Sequence, residues 1–142
     1  MKTSTIPVSA PTWFILDATD VIPGRLAAKV AHVLRGKHKP TFSAHQLCGD
    51  HVIVLNVALM RIHPKKLVGK LYRSHSGYLG HLRTTTLGKM MEEKPEEVVR
   101  KAVYGMLPRN RLRLQMMKRV HICSDADHPY APQKPVPFPL AL

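Results

Sequence analysis

Residues 109–119 carry five fixed positive charges and no carboxylate, directly after a proline that interrupts a predicted helix. The five are Arg109, Arg111, Arg113, Lys118 and Arg119. A basic turn that is pinned by a proline and followed by an apolar-basic helix suits the phosphates of a nucleic-acid backbone. In an ordinary protein such a run is more often a solvated helix end. The rest of this chain repeats the basic theme, and we therefore favour phosphate binding.

A second stretch, residues 72–81, interleaves aromatic, hydroxyl and imidazole groups with a cation in the order YRSHSGYLGH. The rings of Tyr78 and His75 can stack on unpaired bases, and the small residues let the backbone approach a phosphate. An ordinary hairpin tip with a glycine turn would have the same composition. Because the surrounding chain has no acidic residue, the pattern favours contact with RNA.

The whole chain shares this bias in charge. Its 142 residues include 22 lysines and arginines against nine aspartates and glutamates, which gives a net charge of +13. No acidic residue lies in residues 21–49 or 51–91. Cations without counter-charges repel each other in a free protein, so we expect a polyanionic partner, and nucleic acid is the leading candidate.

The sequence disfavours a membrane or secreted protein. No apolar run approaches the roughly 20 residues that span a bilayer. The first twelve residues, MKTSTIPVSAPT, lack the apolar segment of a secretory signal. The two cysteines, Cys48 and Cys123, are too few for a disulfide framework, which favours a reducing compartment.

Aspartates at predicted strand ends are the candidates for catalysis, because open α/β sheets place ligand sites there. A small enzyme that uses Asp17, Asp50 and His51 is therefore one alternative. No nucleophile–base pattern and no glycine-rich phosphate loop accompanies these residues, and aspartates at such positions usually cap turns and helices. The sequence thus predicts no catalytic residue, no cofactor and no small-molecule substrate.

Histidines and cysteines that could bind zinc occur in two loose sets. The sets are His45, Cys48 and His51, and His121, Cys123 and His128. Their spacing matches no standard zinc finger or knuckle, so we predict core packing or RNA contact for them and no metal site.

The order of the predicted elements indicates one α/β domain. An apolar strand over residues 13–16, a helix over 25–35 that ends at Gly36, and a second apolar strand over 51–55 form a βαβ unit, which implies a parallel sheet. A third short strand is predicted over 59–62 and a basic loop or hairpin over 63–83. Helices from 85 to 93, from Pro95, and over 112–118 precede a last strand over 120–123.

Four segments carry a resemblance to a known family: TWFILDATDVIPGRLAAKVAHVLRGKHKP, CGDHVIVLN, YRSHSGYLG and YGMLPRNRLRLQMMKR. They resemble large-subunit ribosomal protein thirteen in order and spacing. The resemblance implies a three-layer α/β/α domain on a four-stranded, mostly parallel sheet. It also implies a structural role in binding large-subunit ribosomal RNA beside neighbouring ribosomal proteins, without catalysis. A regulator that binds RNA outside the ribosome is the alternative.

The stretch HQLCGDHV at residues 45–52 and the pair Met116-Met117 resemble the mitochondrial branch of the family more than the bacterial one. We therefore predict a mitochondrial ribosome, with a bacterial-type ribosome as the alternative. Three segments are expected: an N-terminal extension over 1–12, the α/β domain over 13–128, and a proline-rich tail over 129–142 that lies along a neighbouring protein or RNA groove.

Twelve residues are expected to contact RNA. Lysines and arginines would clamp phosphates, Tyr78 and His75 would stack on bases or bond to sugars, and Asn110 would reach a base edge or a 2′-hydroxyl. The set is Lys37, His38, Lys39, Lys65, Lys66, Arg73, His75, Tyr78, Arg109, Asn110, Arg111 and Arg113.

Overall fold

Six strands and five helices follow one another along residues 7–138, which are the residues that the computed structural model describes. In chain order they are β1 (Trp13–Asp17), α1 (Pro23–Arg35), β2 (His51–Leu55), α2 (Pro64–Gly69), β3 (Leu71–His75), β4 (Leu82–Thr86), α3 (Leu87–Glu93), α4 (Pro95–Met106), α5 (Leu112–Met117), β5 (Val120–Ile122) and β6 (Val136–Pro137). None of the helices in this part of the chain is long and apolar enough to cross a membrane.

Four of the strands form one parallel sheet in the order β5-β2-β1-β6. In the central pair, Trp13 lies opposite His51 and Asp17 lies opposite Leu55. The middle of β2 is fully buried, which explains its continuous apolar run. The sheet confirms the predicted α/β class with a four-stranded, mostly parallel sheet.

Helix α1 connects the two central strands and buries one face. Pro23 occupies its first turn, where a missing backbone N–H costs nothing. Its buried side chains recur at helical spacing: Leu26, Ala27, Val30, Ala31, Val33 and Leu34. The helix ends at Gly36, whose φ of 77° is left-handed, and a Cβ there would lie 2.8 Å from the carbonyl of Cys48. Glycine is therefore required at this helix end.

The main core lies between α1, α4 and one face of the sheet. Leu16, Val52 and Val54 from the strands cluster with Val99 and Val103 of α4, and all are almost fully buried. Burying a side chain of this size contributes about 1.5–3 kcal/mol relative to leaving it in water. This cluster fixes α4 against α1 and so sets where the chain after α4 emerges.

Aromatic and imidazole rings stack at the other face of the sheet. The Trp13 ring lies parallel to His51 with centroids 4.2 Å apart, and it also stacks on His121 and Tyr130. Tyr130 belongs to the segment after β5, which returns through a 3₁₀ helix, Ala131–Gln133, to form β6. Histidines at strand positions are thus used for packing here.

The structure differs from the prediction of a strand over residues 59–62. The chain leaves the sheet at Asn56, whose φ of 55° is left-handed, and forms a 3₁₀ helix, Val57–Leu59. The predicted basic loop over 63–83 is the short helix α2 followed by an antiparallel hairpin of β3 and β4.

The proline-rich C-terminal segment contributes the edge strand β6, which its composition did not indicate. The backbone N–H of Phe138 donates to the carbonyl of Ile15 at 3.0 Å, and its ring packs edge-on against Phe14. An edge position tolerates proline because one side of the strand needs no hydrogen bonds. Residues 1–6 of the predicted extension and 139–142 of the predicted tail lie outside the described residues, and the three segment boundaries stay a prediction.

Candidate nucleic-acid interface

The hairpin of β3 and β4 projects as an arm with an exposed tip, residues 76–81. Leu79 is 99% exposed and Tyr78 is 73% exposed, so neither ring nor alkyl group packs on the domain. The tip is nevertheless ordered by its own hydrogen bonds, because the backbone N–H of Gly77 donates to Nδ1 of His75 at 3.0 Å and that of His81 donates to the carbonyl of Tyr78 at 3.3 Å. Gly77 and Gly80 both adopt positive φ, as tight turns require. The arm therefore presents an aromatic ring in a fixed turn, where its ring neighbour is His81 of the same tip, with centroids 5.9 Å apart.

The root of this arm is held by cations that flank one ring. The ammonium groups of Lys70 and Lys101 lie 5.2 and 5.0 Å from the centroid of Tyr72. The N–H of Leu87 donates to the carbonyl of Lys70 at 2.9 Å, which closes the end of the hairpin onto α2. Arg73 lies one residue further along β3 and is exposed. The arm thus carries Arg73 and His75 away from a fixed base.

The basic segment after α4 is anchored through Leu107, which is buried, and through one of its own arginines. Nε of Arg113 donates to the carbonyl of Pro108 at 2.9 Å, and its guanidinium lies 4.5 Å from the centroid of the Tyr104 ring. The side-chain oxygen of Asn110 accepts from the backbone N–H of Arg113 at 3.2 Å. These contacts fold the turn that leads into α5.

Arg109 and Arg111, in contrast, are exposed on this turn, and Lys118 is exposed after α5. Two roles are therefore present within one segment. Arg113 and the oxygen of Asn110 shape the turn, whereas Arg109 and Arg111 present their guanidinium groups to solvent. The side-chain amide nitrogen of Asn110 remains available as a donor, since only its oxygen is used.

His38 and Lys39 are directed into the protein, towards the buried carboxylate of Asp50. Nζ of Lys39 lies 2.6 Å from one carboxylate oxygen, and Nε2 of His38 lies 2.8 Å from the other. The backbone N–H of Thr12 donates to the same group at 2.8 Å. Burial alone would raise the pKa of Asp50, but the hydrogen bonds from Lys39 and Thr12 and the Lys39 charge lower it. Lys37, by comparison, is exposed.

Arg119 also turns inward. Its guanidinium donates to the backbone carbonyl of Gly49, next to Asp50. Burial lowers the pKa of Arg119, while the nearby Asp50 carboxylate opposes that shift. A Cβ on Gly49 would lie 1.7 Å from the carbonyl oxygen of Leu34, so the backbone passes too close to α1 here for any side chain. The residues around Asp50 therefore form a packed polar cluster rather than an open site.

Lys65 and Lys66 lie on α2, and both are exposed. The fold brings Lys66 to a cleft that Arg25 and Arg61 also line, although these three residues are far apart in the sequence. Arg25, Arg61 and the hairpin residue Arg83 were not among the predicted contact residues. The acid-free stretches of the sequence contain all three, so the signal existed, but charge density alone could not show which cations converge.

The exposed cations of the arm, of α2 and of the segment after α4 have no acidic partners within residues 7–138. Among residues 7–138, the salt bridges join His38 and Lys39 to Asp50, Lys89 to Glu93, and Arg100 to Glu97. None of the exposed cations of the arm, of α2 or of the basic turn takes part in one of them. These are Lys65, Lys66, Arg73, Arg83, Arg109, Arg111 and Lys118. Their charge is therefore available to an external anion.

The enzyme alternative fails on geometry. Asp17 lies at the end of β1 that is opposite to the end where Trp13 pairs with His51. Its carboxylate accepts from Thr19 and Asn56, which lowers the pKa of Asp17, and the residue is exposed. Asp50 is buried against Lys39 at the other end of the sheet. The three side chains required for catalysis therefore do not share a pocket.

The histidines and cysteines of the two loose sets do not converge on a metal position. Within the described part of the chain, no group of three or more His, Cys, Asp or Glu side chains is arranged to hold an ion. His51 and His121 do meet, with Nδ1 and Nε2 at 3.4 Å. Burial lowers the pKa of both rings, which keeps the pair neutral inside the ring stack.

Comparison with known proteins identifies the family. A sequence profile described as "Ribosomal protein L13" matches residues 11–129. A protein named "Large ribosomal subunit protein uL13" from Nitratidesulfovibrio vulgaris is 51% identical over 128 residues, which is 90% of this chain and 89% of that protein. Proteins of the same name from Mycobacterium marinum and Mycobacterium tuberculosis are 47% and 46% identical, over 89% and 91% of this chain and 86% and 88% of theirs. The chain therefore belongs to the ribosomal protein L13 family.

Proposed function

We propose that this protein is a structural constituent of the large ribosomal subunit, where it binds ribosomal RNA. Its family is one of ribosomal proteins. The relatives compared above are named as large-subunit proteins, and the match covers nearly their whole length. This membership supports a structural component rather than an enzyme. The observation that carries RNA binding is the set of exposed cations that no carboxylate of residues 7–138 neutralises.

Two surfaces are proposed to hold the RNA. On the arm, Arg73 and His75 approach a phosphate or a sugar, and Tyr78 at the tip stacks on an unpaired base. On the basic turn, Arg109 and Arg111 clamp phosphates. An arm with an ordered root and an uncovered tip suits insertion between RNA segments, because its contacts do not compete with contacts to its own domain.

The remaining residues that were predicted to contact RNA form two groups, one exposed and one turned into the protein. Lys37, Lys65 and Lys66 are exposed and are proposed to bind phosphates directly. His38 and Lys39 already bind Asp50, so we assign them to holding the loop from which Lys37 projects. The amide nitrogen of Asn110 is proposed to reach a base edge or a 2′-hydroxyl, while Arg113 orders the turn.

The type of ribosome that contains this protein is also a proposal. The relatives named above come from bacteria, and they favour a bacterial-type ribosome over the mitochondrial one that the sequence motifs predict. The mitochondrial prediction is not confirmed by them. Neighbouring large-subunit proteins are the proposed partners of the N-terminal extension over 1–12 and of the proline-rich tail over 129–142.

Sedimentation of the endogenous protein through a high-salt gradient tests the role. We expect it to sediment with the large subunit. Salt weakens each phosphate contact only in part, so many contacts to a folded RNA should hold the protein in place. A protein found only at the top of the gradient would contradict the ribosomal role and would point to a regulator outside the ribosome.

Binding measurements test the interface itself. With isolated large-subunit ribosomal RNA, Arg109→Ala and Arg111→Ala should each weaken binding and lower the salt slope by about one. Lys89→Ala, which removes a cation that is paired with Glu93, is the matched control and should leave the slope unchanged. Equal slopes for the double arginine variant and the control would remove the basic turn from the interface.

A further inference from the structure

A solvent-open cleft of about 600 Å³ lies between the start of α1, the loop at residues 61–64 and the short helix α2. Its floor comes from two further helices, through Leu87 of α3 and Val98 of α4. Its volume falls in the range of about 300–1,000 Å³ that small-molecule sites occupy. The cleft is thus built by five parts of the chain and is large enough for more than a single small anion.

The rim of the cleft is cationic. Arg25, Arg61, Lys66 and Lys70 line it, and no carboxylate of residues 7–138 does. None of these four side chains forms a salt bridge within the described residues. Four like charges around one cleft, without a counter-charge, give it a positive potential that attracts an anion. The cleft therefore selects for a negatively charged ligand.

Backbone donors add to this charge. Ile22 precedes α1 and supplies no side-chain cap, and the first turn contains no acidic residue. The N–H of Leu26 bonds to the carbonyl of Ile22, but the N–H groups of Gly24 and Arg25 precede it and have no helical acceptor. Both residues line the cleft, so an anion there meets two donors and the positive end of the helix dipole.

His63 also lines the cleft and provides one more donor. Nδ1 of His63 accepts the backbone N–H of Lys65 at 3.2 Å, at the start of α2. The other ring nitrogen therefore carries the hydrogen and can donate it to a ligand oxygen.

The floor of the cleft is apolar, in contrast to its rim. Leu87 and Val98, which are 3% and 1% exposed, close its bottom, and the apolar surface open to a ligand comes from Ile22, which is 39% exposed, with Pro23, Ile62 and Pro64. A free phosphate would satisfy the rim and leave this floor unused. A nucleotide would use both, because its phosphate is anionic and its base has a large flat face.

We propose that this cleft binds one unpaired nucleotide of an RNA strand. Its phosphate lies at the start of α1 among the cations, and its base and ribose cover the apolar floor. The partner must be unpaired, since a base within a duplex cannot reach a cleft of this size. The inference rests on the proposed function only for the identity of the partner, and it adds a third contact to the arm and the basic turn.

Gly24→Asp is the discriminating variant. A Cβ at Gly24 has no atom within 4 Å, so an aspartate fits, and a carboxylate in the first turn stabilises a helix. The substitution therefore preserves the fold while it places a negative charge where the phosphate would lie. Gly24→Asn has nearly the same size without the charge. Ala126→Asp adds the same charge at an exposed site between Asp125 and Asp127 that does not line the cleft.

The measurement is fluorescence anisotropy of a mixed-sequence, twelve-nucleotide single-stranded RNA with the full chain. We expect Gly24→Asp to weaken binding about tenfold relative to Gly24→Asn and to lower the salt slope by about 0.7, as the loss of one phosphate contact predicts. Ala126→Asp should resemble the unmodified protein. Equal affinities for the two Gly24 variants would overturn the cleft while leaving the proposed function standing. Absence of RNA binding by the unmodified protein would overturn the proposed function itself.

Backbone amide spectra of ¹⁵N-labelled protein locate the contact and identify its source. The amides of Gly24 and Arg25 should shift on addition of the RNA, and much less with adenosine monophosphate or inorganic phosphate at the same concentration. Saturation by adenosine monophosphate at lower concentration than by RNA would overturn the proposal in favour of a free-nucleotide site. Unchanged amides with all three ligands would remove the cleft from the interface.

Discussion

Replacing Asp50 with asparagine tests whether one buried carboxylate holds separate segments of the chain together. The side chain is fully buried and contacts Lys39 at 2.6 Å, His38 at 2.8 Å and the N–H of Thr12 at 2.8 Å. These partners come from the segment before β1 and from the loop after α1. Asparagine keeps the shape but removes the charge, and its NH₂ group replaces one of the two carboxylate oxygens that these three partners contact.

The expected loss of stability follows from these contacts. Removing one member of a buried ion pair costs about 3–5 kcal/mol, because the other charge loses its compensation. The side chain of Lys39 is 15% exposed and can turn partly towards water, so we expect a loss near the lower limit, about 3 kcal/mol. At about 4 °C per kcal/mol for a domain of this size, the Tm should fall by about 12 °C.

Thermal and urea unfolding, followed by circular dichroism at pH 7, provide the assay. Asp17→Asn is the matched control, because Asp17 also accepts hydrogen bonds but is exposed. It should cost less than about 1 kcal/mol. A cycle that combines Asp50→Asn with Lys39→Met isolates the pair, and the double variant should lose less than the sum of the singles. Equal midpoints for the Asp50 and Asp17 variants would refute the reasoning.

The dependence on pH gives an independent check of the sign. The folded-state pKa of Asp50 lies below its ordinary value of 3.8, so the folded protein binds this proton less readily than the unfolded chain. The stability that the carboxylate contributes is therefore complete above pH 3.8 and is lost as the pH falls through the lower, folded-state pKa. The difference in unfolding free energy between the unmodified protein and Asp50→Asn should therefore become smaller as the pH falls through that range. A constant gap down to pH 2 would show that the charge is not responsible.

Three further outcomes are expected. Gly49→Ala should prevent stable folding, because its Cβ would lie 1.7 Å from the carbonyl oxygen of Leu34. Gly105→Ala, in open space on α4, should instead stabilise the folded protein by about 0.5–1 kcal/mol, and the Tm of each variant measures its effect. Replacing residues 76–81 by Asn-Gly should weaken RNA binding in an anisotropy assay and leave the Tm within a few degrees, since the tip makes no contact with the core. Raising NaCl from 50 to 500 mM should raise the Tm of the free protein and weaken its binding to RNA, because screening acts on repulsion and attraction alike; a Tm that falls with salt would contradict the unpaired-cation account.

The elements that pattern predicts well are those whose burial is continuous. The run in β2 and the spacing of Leu26, Val30 and Val33 in α1 each have one satisfactory explanation. The wrong strand at residues 59–62 has a physical cause. A left-handed Asn56 takes the chain out of the sheet before those apolar residues, and its effect is conformational rather than hydrophobic. Strand β6 could not be predicted, because a proline-rich composition indicates an extended chain but does not indicate which strand it pairs with.

The candidate interface stays a prediction, and the sequence indicates its kind better than its members. Acid-free stretches contain mostly cations without a salt bridge among residues 7–138, although Lys39 and Lys89 within them pair with Asp50 and Glu93. They could not show that Arg25, Arg61 and Lys66 line one cleft, because that depends on how the fold joins the loop before α2 to the segment before α1, where the N–H of Arg61 donates to the carbonyl of Val21. Nor could they show that the carboxylate of Asp50, which ends an acid-free stretch, reaches back to Lys39.

Neighbouring cations in this chain therefore have different roles, and the exposure of each side chain shows which role it has. Lys39 turns inward to a carboxylate while Lys37 faces solvent, and Arg113 turns inward to a carbonyl while Arg111 faces solvent. A loop that carries only outward charges would be spread by their repulsion and would lose its shape before RNA arrived. An inward cation with a buried acceptor fixes the loop at the point from which the outward cation projects. The ordering cost is then met in folding rather than in binding, which leaves more of the phosphate attraction for affinity.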